Sequence, residues 1–148
     1  MVLKKAHDFT LKDQNGKHFT LSENKNNYTL LVFYPKDDSF VCTKQLCNYN
    51  ENIEKFLSKN INVIGISTDT QNSHLKFSKK YDLKFPLLSD DEGKVSKLYD
   101  VKNLFGTTQR KLVLIDKEMN IIYENTVLSL FYKKAGDVLN TEITKNLK

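Results

Sequence analysis

The chain has 148 residues, 39% of them hydrophobic and 28% charged, with a net charge of +5. That is the length and mix of one globular domain, 1–148, able to bury a core without disulfide or metal support. The start, MVLKKAHDFTLKD, has no signal-like apolar stretch, no run approaches the ~20 residues of a membrane span, and the lysines are scattered among acids. A cytoplasmic protein is expected, bound to neither membrane nor nucleic acid.

Residues 8–21, DFTLKDQNGKHFTL, alternate about Asn15-Gly16 and predict a hairpin. The apolar runs YTLLVFY (28–34) and INVIGIS (61–67) predict buried strands. Between them Leu46, Tyr49, Ile53, Phe56 and Leu57 share one helical face, predicting a helix over about 40–59. Asp37, Asp38 and Ser39 offer N-caps and negative charge at its start. A helix is predicted over 72–81, with Phe77, Tyr81 and His74 facing inward. FPLLSD (85–90) predicts a strand and GKVSKLYDV (93–101) a short helix. KLVLID (111–116) and NIIYENTV (120–127) predict an antiparallel pair, and residues 133–147 a closing helix. The expected fold is α/β, a central mixed sheet with helices on both faces. Residues 28–67 form a βαβ unit within it.

Both cysteines lie in YPKDDSFVCTKQLC (34–47). Their spacing is neither CxxC nor that of a zinc ribbon. Cys42 falls in the first turn of the predicted helix, where unpartnered N–H groups and the helix dipole favour a thiolate, the nucleophilic form. Ser39 precedes it by about one helical turn. Pro35 suits the strand-to-helix turn. If residues 42–47 are helical, the two Cα atoms lie about 8.7 Å apart, beyond the roughly 4.4–6.8 Å of a disulfide. A bridge then needs local unwinding, after which a sulfenic acid on one thiol condenses with the other. Two inert, buried thiols fit the same geometry. His7, His18 and His74 are widely spaced and predict no metal site, only surface or core-edge positions.

Pro35, Ser39 and Cys42 match the P-x-x-x-[TS]-x-x-C signature of peroxiredoxins, and CTKQLC resembles the peroxiredoxin Q, or bacterioferritin-comigratory-protein, group. AHDFTLKDQNGKHFTLSE, VIGISTD, FPLLSD, QRKLVLID and AGDVLNTEI extend the likeness over nearly the whole chain. The resemblance implies a thioredoxin-like fold with an N-terminal β-hairpin extension. It implies a thiol peroxidase without cofactor, metal, haem or flavin, acting on hydrogen peroxide and organic hydroperoxides. Cys42 would be the peroxidatic cysteine and Cys47 the resolving one, forming an intramolecular disulfide. Arg110, the single arginine among 23 Lys and Arg residues, would hold the thiolate and polarise the O–O bond. Ser39 would bond the sulfur and the peroxide, and Pro35 would cover the sulfur. Thioredoxin, or a glutaredoxin, would be the reductant. A disulfide within one chain needs no second subunit, so a monomer is expected. Phe40-Val41 replaces the group's usual Pro-Gly and is expected to set bulky groups beside the pocket. A different use of the same residues is a redox-sensing interaction protein, whose helix unwinds on oxidation to expose a binding face.

Overall fold

The computed structural model describes residues 4–24, 26–101, 103–104, 107–128 and 131–147. In chain order come β1 (Lys4–Lys5), β2 (Thr10–Lys12), β3 (His18–Thr20), β4 (Tyr28–Phe33), α1 (Phe40–Glu51), α2 (Ile53–Leu57) and β5 (Ile61–Ser67). There follow α3 (Gln71–Tyr81), β6 (Leu87–Ser89), α4 (Lys94–Leu98), β7 (Asn103–Leu104), β8 (Thr107–Thr108), β9 (Arg110–Ile115), β10 (Asn120–Val127), α5 (Ala135–Leu139) and α6 (Glu142–Lys145). Among the described residues, eight strands make one mixed sheet in the order β1-β10-β9-β4-β5-β6-β2-β3, while β7 pairs with β8.

The two apolar runs are the central parallel strands β4 and β5, joined through α1 and α2 as expected. Side chains alternate across a strand, so β4 feeds two cores. Leu30 and Val32, with Tyr34 just beyond, join Leu46, Tyr49, Phe56 and Phe77 on one face. Leu31 and Phe33 join Phe9, Val95 and Tyr99 on the other. Gly65 is needed where β5 lies beside β6 and close to the Tyr34 ring: a Cβ there would lie 2.8 Å from the Leu87 side chain and 3.3 Å from the Tyr34 ring.

The hairpin is present, with Gly16 at φ 80°. The helix expected over 40–59 is two helices. Asn52 sits at φ −105°, ψ 13°, its side-chain amide bonded to the Asn48 carbonyl at 2.8 Å and its backbone N–H to that of Tyr49 at 3.2 Å. The side chain takes the carbonyl that the next helical N–H would use, and the helix breaks. The closing helix divides similarly: the Thr144 hydroxyl bonds to the Val138 and Leu139 carbonyls at 2.7 and 2.9 Å. β1, β7 and β8 have only two residues each, too few for a period to register.

Candidate active site

α1 starts two residues before Cys42, with Ser39 at the N-cap in extended conformation and the Thr43 N–H bonded to the Ser39 carbonyl at 2.8 Å. No side chain caps this helix, and the N–H groups of a first turn have no acceptors of their own within the helix. The acids expected to cap it turn elsewhere. Asp37 is buried against Tyr34 and α3, and Asp38, in the left-handed region at φ 57°, meets Lys80 Nζ at 2.9 Å. The reason is competition: α3 offers fixed donors and a lysine within reach of these carboxylates.

Cys42 has no exposed surface. Arg110, the first residue of β9, is also buried, and its Nη1 lies 3.0 Å from the Cys42 sulfur. Leu112 and Leu114 share the core with Cys42, so the alternation of β9 places Arg110 on the same face of the sheet. The same Nη1 lies 3.1 Å from Gln45 Oε1. Gln45, 1% exposed, went unnoticed in the sequence because glutamine has little pull toward a core. Its signal was position: one helical turn beyond Cys42, beside Leu46 and Tyr49 on the face turned to the sheet.

Cys42 and Cys47 are both free, and one continuous helix holds them apart. Cys47 is half-buried, and its thiol is pushed up from the ordinary 9.0, first by burial and then by the Glu51 carboxylate. A raised value means a smaller thiolate fraction at neutral pH, so Cys47 stays a thiol while α1 is folded. In a Cys42→Ser chain the rate of iodoacetamide labelling should therefore rise through a midpoint above 9.0, and Glu51→Gln should lower that midpoint. Labelling already complete in its thiolate dependence near neutral pH would contradict this assignment.

Ser39 is near the sulfur in sequence, but its hydroxyl donates to the Lys36 carbonyl at 3.0 Å rather than to Cys42. The oxygen can still accept. Pro35 is half-buried at the exit of β4. Phe40, first residue of α1, is 75% exposed, with Lys44 Nζ 4.3 Å from its ring centroid. His74 corrects an expectation, being fully buried instead of lying at a surface or core edge. Asp37, Asp69 and His74 converge within 4.8 Å, a donor set a cation could use. Each residue's converging atom is already engaged by hydrogen bonds.

A central mixed sheet with helices on both faces, and a buried thiol at the head of a helix beside an arginine, define a thioredoxin-fold protein built around a cysteine–arginine pair. The chain belongs to the AhpC/TSA family, whose profile matches residues 2–124. It is 44% identical over 121 residues to the chloroplastic peroxiredoxin Q of Populus jackii, a match covering 79% of this chain and 57% of that protein. The match thus spans little more than half the length of that relative. Among solved structures, a peroxidoxin of Mycobacterium tuberculosis superposes with a TM-score of 0.78 at 29% identity, covering 87% of this chain and 86% of that one. The bacterioferritin comigratory protein of Xanthomonas campestris, described for its alkyl peroxide reduction activity, superposes with 0.75 at 27%, covering 86% and 83%. The peroxiredoxin resemblance of the sequence is borne out.

Proposed function

We propose that this protein is a thiol peroxidase that reduces hydrogen peroxide or organic hydroperoxides through Cys42. The observation that carries this reading is the buried contact of 3.0 Å between Arg110 Nη1 and the Cys42 sulfur. A guanidinium fixed beside a sulfur is in place for charge that develops during attack. The thiolate attacks one peroxide oxygen and the O–O bond breaks. Cys42 becomes a sulfenic acid, and the second oxygen leaves as alcohol or water after taking a proton. Ser39 Oγ, whose own hydrogen is donated in a bond to the Lys36 carbonyl, is suited to accept a hydrogen bond from the peroxide.

Cys47 then attacks the sulfenic sulfur, water leaves, and a Cys42–Cys47 disulfide results. This step requires the first turns of α1 to open. A dithiol protein of the thioredoxin or glutaredoxin type returns both thiols and is itself oxidised. No partner subunit is needed for the cycle, which fits a monomer.

The test is NADPH consumption with thioredoxin, its reductase and a panel of peroxides. The wild-type chain should turn over continuously. Cys47→Ser should consume about one equivalent of peroxide per chain and then stall. Continuous thioredoxin-driven turnover by Cys47→Ser would remove Cys47 from the cycle.

A further inference from the structure

The loop between β4 and α1 decides where Cys42 sits, because the helix starts from it. Asp38 ties that loop to Lys80 at its exposed side, and Asp37 makes its buried contacts. Its backbone N–H donates to Asp69 Oδ2 at 2.7 Å, and its Oδ1 accepts the Tyr34 hydroxyl at 2.6 Å. Its Oδ2 accepts Ser73 Oγ at 2.8 Å and faces His74 Nδ1 at 2.6 Å. The Asp37 side chain is 4% exposed and that of His74 0%.

His74 is the pivot. Its Nε2 lies 3.0 Å from the Leu88 carbonyl, which can only accept, so this nitrogen carries a proton. Its Nδ1 faces the carboxylate oxygen, so one further proton is held between Nδ1 and Oδ2. The ring therefore bridges strand β6 and the loop that leads into α1. Tyr34 stays a donor to the same carboxylate, since burial and then the Asp37 charge hold its hydroxyl well above the ordinary 10.0.

We propose that His74 is a positioning residue for the Cys42 reaction: clamped between the Leu88 carbonyl and Asp37, it fixes the loop from which α1 starts and restrains the opening of the helix's first turn. It touches neither sulfur nor substrate, and it rests on the reading of Cys42 as the peroxide-reactive thiol. One clamp then serves the two chemical steps in opposite ways. It holds Cys42 against Arg110 for attack on peroxide, and it opposes the unwinding that lets Cys47 reach the sulfenic acid.

The test follows the two steps separately in His74→Gln, Asp37→Asn and the double variant. The chain has no tryptophan, so rapid quench and mass spectrometry serve as readout. Sulfenic acid is trapped with dimedone in a Cys47→Ser background, and disulfide formation is followed with Cys47 present. Each single variant should slow Cys42 oxidation by hydrogen peroxide about ten- to a hundredfold, as misplacement of a reacting group does. Each should also speed disulfide formation, and the double variant should be no worse than the worse single one. A purely structural role predicts a lower Tm with both steps unchanged or both slowed in the folded fraction, and that result overturns the proposal. Asp37→Asn keeps the size of the side chain and carries the test should His74→Gln fail to fold. If wild-type Cys42 is not oxidised by any hydroperoxide, the peroxidase reading itself fails. If wild-type reacts and neither variant changes either step, only the clamp fails.

Discussion

Cys42→Ser is expected to abolish peroxide reduction, leaving only the background rate of peroxide with an unreactive chain. The replacement is small and keeps a polar atom opposite Arg110 Nη1, which lies 3.0 Å from the native sulfur, so the guanidinium retains an acceptor and the fold should persist. What disappears is the nucleophile. A hydroxyl is weakly nucleophilic without an adjacent general base, and among the described contacts the partner of this atom is a cation, which cannot take a proton. The check is stopped-time measurement of hydroperoxide loss together with dimedone trapping on the intact chain. Trapped sulfenic acid at Cys47 with sustained peroxide consumption would reassign the reactive thiol.

Arg110→Lys has the next largest expected effect, a loss of about 10²–10³ in the rate of Cys42 oxidation, the usual result of losing one preorganised donor. Charge alone does not explain the choice of arginine here. In a chain so rich in lysine, the guanidinium stands where one nitrogen, Nη1, reaches both Cys42 Sγ and Gln45 Oε1, at 3.0 and 3.1 Å. A planar, delocalised cation can hold both contacts with little entropy left to lose, and it tolerates burial better than a strongly hydrated ammonium. Lysine would keep the sign of the charge but present it as a compact, strongly hydrated ammonium on a flexible stem. Circular dichroism should show an unchanged fold, and near-wild-type oxidation rates in that fold would exclude Arg110 from the chemistry.

The parts of this molecule that could be read from sequence are those whose signal is periodic or confined to a short motif. β4 and β5 were visible as unbroken apolar runs, and α1 as a stripe containing Leu46 and Tyr49. Cys42 and Arg110 were found through a motif and a resemblance, and their contact across 68 residues needed the fold. The break at Asn52 was hidden because an asparagine side chain can either face solvent or take a neighbouring carbonyl, and only packing decides. The Asp37–His74 pair was hidden for a stronger reason. Polar residues report burial only through their partners, and these partners come from β4, the end of β5, α3 and β6.

Leu46, fully buried one residue before Cys47, bears on how strongly the oxidised protein of the proposed cycle would hold a Cys42–Cys47 disulfide. Bridging Cys42 to Cys47 closes a ring of about six residues, which restrains the unfolded chain by only roughly 2 kcal/mol. Opening the same turns exposes Leu46, at about 1.5–3 kcal/mol, and gives up the Arg110 contacts as well. Oxidation therefore costs the protein folding free energy that reduction returns. Each 1.4 kcal/mol of that difference raises the reduction potential of the couple by about 30 mV. In the proposed cycle the helix would act as a spring on the redox equilibrium, making a Cys42–Cys47 disulfide a good electron acceptor for a dithiol protein.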